Sequence, residues 1–145
     1  MIGSSWLIND AQVSPERASV EEILKADLYG TAILLEEVGK VIKPGGAGIT
    51  IPPKAVGVCL CLRQNGTSFQ ITAPAEELLK LEMLQPRNIT DNLHAYQMAK
   101  CCNKKRVMAE AVKLGERGAW LNDIASEDRY NKKVEIFLKK GIDIL

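Results

Sequence analysis

Long hydrophobic runs are missing from this chain of 145 residues, and no stretch reaches the about 18 consecutive apolar residues that a membrane span requires. Residues 1–10 also lack the basic start and extended apolar core of a secretory signal, which points to a cytoplasmic protein. An excess of one charge sign is absent as well. Nineteen Lys and Arg face 18 Asp and Glu, for a formal charge of +1, so the balance calls for neither nucleic acid nor an anionic membrane surface. The halves differ only mildly, with 8 basic and 11 acidic groups in residues 1–99 against 11 and 7 in residues 100–145. Histidine occurs once, as His94, and cysteine four times, as Cys59, Cys61, Cys101 and Cys102. In a reducing compartment these thiols are not expected to form a disulfide framework, and both pairs are too tightly spaced for a C-x2-C zinc site. Their expected role is as small buried side chains.

What is present is an alternation of helical and extended signals. Ser19-Val20-Glu21-Glu22 has the form of a capping box and opens a helix. Apolar residues then recur at Val20, Ile23, Leu24, Leu28, Leu34, Leu35, Val38, Val41 and Ile42, the spacing of one buried helical face, until Pro44-Gly45-Gly46 stops the run. Ala47 to Ile51 reads as a short buried strand, with a less distinct one over Val56 to Leu62. Asn65-Gly66 marks a turn, Ser68 to Thr72 a possible extended piece, and Ala75 to Leu84 a short helix ended by Pro86. A second long helix is predicted from Asp91 to Leu114 with Gly115 as its left-handed cap, then a strand over Ala119 to Ile124 and a helix capped by Ser126. Helices alternating with strands indicate βαβ units on a parallel sheet.

Tyr96 and Lys100 stand four residues apart in the second long helix, which places phenol and ammonium on one face. A cation beside a tyrosine favours the phenolate and makes the phenol a usable acid and base. The same spacing also describes a partly exposed tyrosine stacked on a lysine stem. His94, near the helix start, reads as a capping or surface residue.

Several segments in order resemble the short-chain dehydrogenase/reductase family. Val13-Ser14-Pro15, the run from Ser19 to Ala32, and Gly45-Gly46-Ala47-Gly48-Ile49-Thr50-Ile51 are similar to its fourth strand exit, fifth helix and fifth strand. His94-Ala95-Tyr96-Gln97-Met98-Ala99-Lys100, Arg106-Val107, Glu116-Arg117-Gly118-Ala119 and Leu121-Asn122-Asp123-Ile124 are similar to its active-site helix and sixth strand. The resemblance implies an α/β fold, a partial Rossmann-like three-layer α/β/α arrangement around a parallel sheet. It also implies an oxidoreductase acting on an alcohol or ketone with NAD or NADP. Tyr96 would move the substrate proton, while Lys100 would bind the nicotinamide ribose and lower the phenol's pKa, so that both residues are catalytic and both meet the cofactor.

The sequence departs from the family at identifiable places. Pro53 stands where the family has its substrate-binding serine, Gln12 where it has the glycine of Asn-Ala-Gly, and Asp27 where it has an asparagine that positions a relay water. Ala125-Ser126-Glu127 replaces its Pro-Gly step. The family's Gly-rich phosphate turn precedes the part resembled, and Gly45 to Gly48 has the wrong surroundings, since it follows a helix and leads into a strand. The expectation is one incomplete domain over 1–145, family-like over 7–124, with an insert at 64–86 near the site and a diverged C-terminal helix at 125–145. Three readings stand. The chain is an oxidoreductase subunit completed by an N-terminal half chain, or a diverged remnant without activity, or a non-catalytic interaction protein that homodimerises through helices 19–42 and 91–114. None involves nucleic acid or a membrane.

Overall fold

The structure, a computed structural model, describes residues 6–51 and 72–123. Three four-residue strands, β1 (Trp6–Asn9), β2 (Ala47–Thr50) and β3 (Trp120–Asp123), form a parallel sheet in the order β1-β2-β3. The register aligns Leu7 with Gly48 and Leu121, and Asn9 with Thr50 and Asp123. Parallel strands that follow one another in sheet order need right-handed crossovers, and two such crossovers in the same direction place their helices on one face.

The first crossover starts with α1 (Val20–Ile23), passes through a wide π-helical turn (Leu24–Gly30) and continues as α2 (Thr31–Val41). Its start is the capping box: the Glu22 amide donates to the Ser19 hydroxyl, and the Ser19 amide donates to the Glu22 carboxylate at 2.8 Å. The second crossover includes the short helix α3 (Ala75–Leu78), 3-10 turns at Glu82–Leu84 and Pro86–Asn88, and the long helix α4 (Asn92–Glu116). Asp91 caps α4 by accepting the His94 amide at 2.7 Å.

Two of the expected boundaries move. The helix expected over Ala75 to Leu84 breaks after Leu78, because Leu81 is extended and lets Leu84 turn back into the core. The helix expected to end at Leu114 continues to Glu116, and Gly118 rather than Gly115 takes the left-handed conformation. Ala119 donates to the Leu114 carbonyl at 2.9 Å and Gly118 to that of Gly115 at 3.0 Å, a Schellman closure with Ala119 packed near Leu114. The strand over Val56 to Leu62, the extended piece before Thr72 and the helix from Ser126 lie outside the described residues, as does Pro53.

The core has two clusters. Ile23, Leu24, Leu28, Leu78, Leu84, Ala95 and Met98 join α1, the π turn and the insert to the first half of α4. Leu35, Ile42, Val107, Leu114 and Leu121, with Leu7 against them, join α2 and the second half of α4 to one sheet face. The described helices therefore form one layer on that face. On the opposite face Trp6, Ile8 and Trp120 are exposed, so two layers are in place among the described residues where three were expected. The described part of the insert is fastened to both long helices: Glu36 accepts the Ala75 amide, while Arg106 donates to the Ala73 carbonyl at 2.6 Å and pairs with Glu36 at 2.8 Å. Cys102 is fully buried as expected, whereas Cys101 is disulfide-bonded and departs from the reduced state inferred from composition. Among the described residues no helix is long and apolar enough to cross a membrane, and no cluster of His, Cys, Asp and Glu could hold a metal.

Candidate active site

Residues 98–103 of α4 are all buried, so the helix runs inside the fold at the level of Lys100. A lysine there needs a counterion, because an unpaired buried ammonium is too costly to keep charged. The π turn supplies it. Leu24, Asp27 and Leu28 all face inward from that turn, and Asp27 is completely buried. Its Oδ2 lies 3.5 Å from Lys100 Nζ, its Oδ1 accepts the Val13 amide at 2.8 Å, and its backbone carbonyl accepts from Asn103 Nδ2 at 2.6 Å.

Tyr96 and Lys100 meet as their spacing predicts, with Nζ 5.1 Å from the ring centroid. The amine thus faces the ring, and the hydroxyl turns elsewhere, donating to Gln12 Oε1 at 3.4 Å. This geometry overturns the expected electrostatics. Burial pushes the Tyr96 phenol above its ordinary value, and the Asp27 carboxylate pushes it in the same direction. Burial also lowers Lys100, with Asp27, Asp10 and Asp123 acting against that shift. The lysine charge that was to draw the phenol downward is committed to Asp27.

Beyond Lys100 the sheet's carboxyl edge presents Asn9, Thr50 and Asp123 in one cross-strand row. The Thr50 hydroxyl donates to Asp123 Oδ1 at 2.9 Å, and Asn9 Nδ2 donates to the Thr31 hydroxyl at 3.5 Å. Burial raises the Asp123 carboxyl, with the Thr50 bond and the cations of Lys104 and Lys100 opposing. Asn9, Thr31, Thr50, Lys100, Asn103 and Asp123 share the wall of a cavity of about 20 Å3. Such a volume suits a single water and has polar partners enough to hold it. Thr50 offers a hydroxyl that could stand in for the serine replaced by Pro53, but it already donates to Asp123.

The fit to a nicotinamide dinucleotide is confined to one end. Lys100, Tyr96 and the polar row at the strand ends suit proton handling beside a substrate oxygen. The cavity of about 20 Å3 is too small for a nicotinamide ring, and among the described residues no Gly-rich turn joins a strand to a helix N-terminus. The junction after β1 runs from Asp10 to Ser19 without a glycine. His94 plays the capping part expected of it, its Nδ1 accepting the Thr90 amide at 3.1 Å.

Helical spacing brought Tyr96 and Lys100 together, as the contact shows, but it did not reveal Asn103 or Asp123 beside them. A signal existed for the helix: Lys100, Asn103, Arg106 and Glu110 recur at helical spacing on the buried side of α4. A polar stripe on a face that must be covered marks a buried network. No family model matches the chain, and no curated protein matches it.

Proposed function

We propose that this chain carries the proton-transfer site of an oxidoreductase of the short-chain dehydrogenase/reductase kind, acting on a ketone or alcohol with NAD or NADP. The observation that carries the reading is the Lys100 amine held against the Tyr96 ring beside the carboxyl ends of a parallel sheet. Ligands of open α/β sheets gather at that edge. The order β1-β2-β3, with both crossovers on one face, suits a partial Rossmann-like sheet. The role of the family's phosphate-binding turn would fall to another surface of this chain or to a complementing N-terminal half chain. A bound reduced nicotinamide would supply hydride to the carbonyl carbon. Tyr96 would give its proton to the carbonyl oxygen and recover one from solvent.

The test is reduction of a panel of aldehydes and ketones with NADH and NADPH. Turnover that disappears in a folded Tyr96→Phe variant supports the reading. Equal turnover in parent and variant removes Tyr96 from its role.

A second reading is favoured by the Asp27–Lys100 pair, which ties up the lysine, and by Met108 and Val112, exposed one turn apart on α4. The chain would then be a non-catalytic protein whose long helices pair with those of a second copy. A dimeric mass that Met108→Glu and Val112→Glu reduce to the monomer, without dinucleotide binding, would favour this alternative.

A further inference from the structure

We infer that Asp27 is a positioning residue that clamps the Lys100 ammonium against the face of the Tyr96 ring and cancels its charge at the phenol. The site thereby favours giving a proton to a carbonyl over taking one from an alcohol. The second statement rests on the oxidoreductase reading above, whereas the clamp itself stands on geometry alone.

The geometry begins with the π turn at Leu24–Gly30, a local widening of the kind that concentrates at functional positions. It aims a carboxylate with no solvent exposure into the layer between the first crossover and α4. Val13 holds one oxygen, Asn103 holds the backbone of the same residue, and the other oxygen faces Lys100. Both charges are buried, so their mutual field is only weakly screened by solvent. The phenol consequently experiences a close ion pair in place of a bare cation.

The other carboxylates that bear on the pair act to the same end, and the Lys104 cation opposes one of them. Asp10 and Asp123 also bear on Lys100, and Lys104 bears on Asp123. Three carboxylates, Asp10, Asp27 and Asp123, thus surround the amine that would otherwise stabilise a phenolate. His94, on the helix with Tyr96, is occupied by Thr90. With no net cation at hand, burial decides, and the phenol keeps its proton at neutral pH. A protonated phenol can donate to the strongly basic oxygen that forms as hydride adds to a carbonyl. It is a poor base for an alcohol.

The experiment follows the phenolate absorbance of the full chain against pH, with Tyr96→Phe subtracted to isolate Tyr96 from the other two tyrosines. Parent, Asp27→Asn and the double variant Asp27→Asn/Lys100→Met are compared. A nearby opposite charge moves a pKa by about 1 to 3 units, so Asp27→Asn should lower the Tyr96 midpoint by about one unit or more, at least tenfold in proton affinity. The double variant should fall between the other two. Replacing a buried pair by neutral groups is commonly tolerated, so the double variant serves where Asp27→Asn alone does not fold. One midpoint common to the folded proteins would overturn the clamp, as would a parent midpoint below that of free tyrosine. Dinucleotide binding with an unmoved midpoint would sink the clamp alone. A shifted midpoint without dinucleotide binding would leave the clamp and remove the oxidoreductase reading.

Discussion

Gly48 is the point where the sheet register can be challenged most sharply. It lies in the cross-strand row between Leu7 and Leu121, on the face that α2 and α4 cover. A Cβ at this position would stand 2.8 Å from Leu121 Cδ1, with Leu7 Cβ at 3.8 Å and the Trp120 carbonyl at 3.7 Å. Carbon atoms rest at about 3.5 to 4.0 Å, so the Leu121 methyl must retreat by roughly an ångström. It has little room, because Leu121 is buried among Leu35, Ile42, Val107 and Leu114. Overpacking of this kind costs about 1 to 3 kcal/mol. Replacing glycine in an extended strand returns about 0.4 to 1 kcal/mol by reducing the freedom of the unfolded chain. Gly48→Ala should therefore lose about 1 kcal/mol, read from the urea midpoint at constant slope. Leu121→Ala alone should lose about 2 to 5 kcal/mol. In the double variant the new methyl enters space vacated by the leucine, so the combined loss should fall short of the sum by more than about 0.5 kcal/mol. Strict additivity, or a Gly48→Ala chain more stable than the parent, would refute the register and with it the alignment of Asn9, Thr50 and Asp123.

Two further outcomes follow from local chemistry. Ser19→Ala removes the acceptor of the Glu22 amide and should cost about 1 kcal/mol in urea unfolding; no loss would deny the capping box a share in stability. Asp123 has a raised folded pKa, so its neutral form is the stabilising one: that stability is complete below the ordinary aspartate value and is lost as pH rises through the folded value. Asp123→Asn, which keeps an acceptor for Thr50, should gain on the parent in urea midpoint between pH 3 and pH 7, and a constant difference across that range would contradict the burial argument.

Features whose causes are local were legible from sequence. Ser19 and Glu22 stand within one turn of each other, so their reciprocal bonds are written in four consecutive residues, and the stop at Pro44-Gly45-Gly46 is equally local. The strands at Ala47 and Trp120 follow from short β-branched or apolar runs between such signals. The π turn had no local signature, and the charge it buries, Asp27, meets its partner Lys100 seventy-three positions away. The same contact explains why the Tyr96 and Lys100 pair was found while its electrostatics came out with the wrong sign: helical spacing reveals which groups meet but not which third charge they share. The cap at Gly118 was misplaced to Gly115 for a related reason, since both glycines are permissive and only the bond from Ala119 to Leu114 selects between them.

The central claim, a nicotinamide-dependent site at Tyr96 and Lys100, is tested most directly by titrating the folded full-length chain with NADH and NADPH while following cofactor fluorescence. The account predicts saturable binding of one of the two that is weakened at least tenfold in Lys100→Met/Asp27→Asn, a substitution that removes the amine together with its buried partner. Saturable binding unchanged by that variant would contradict it, and a flat titration with both dinucleotides would contradict it for the chain acting without a complementing half.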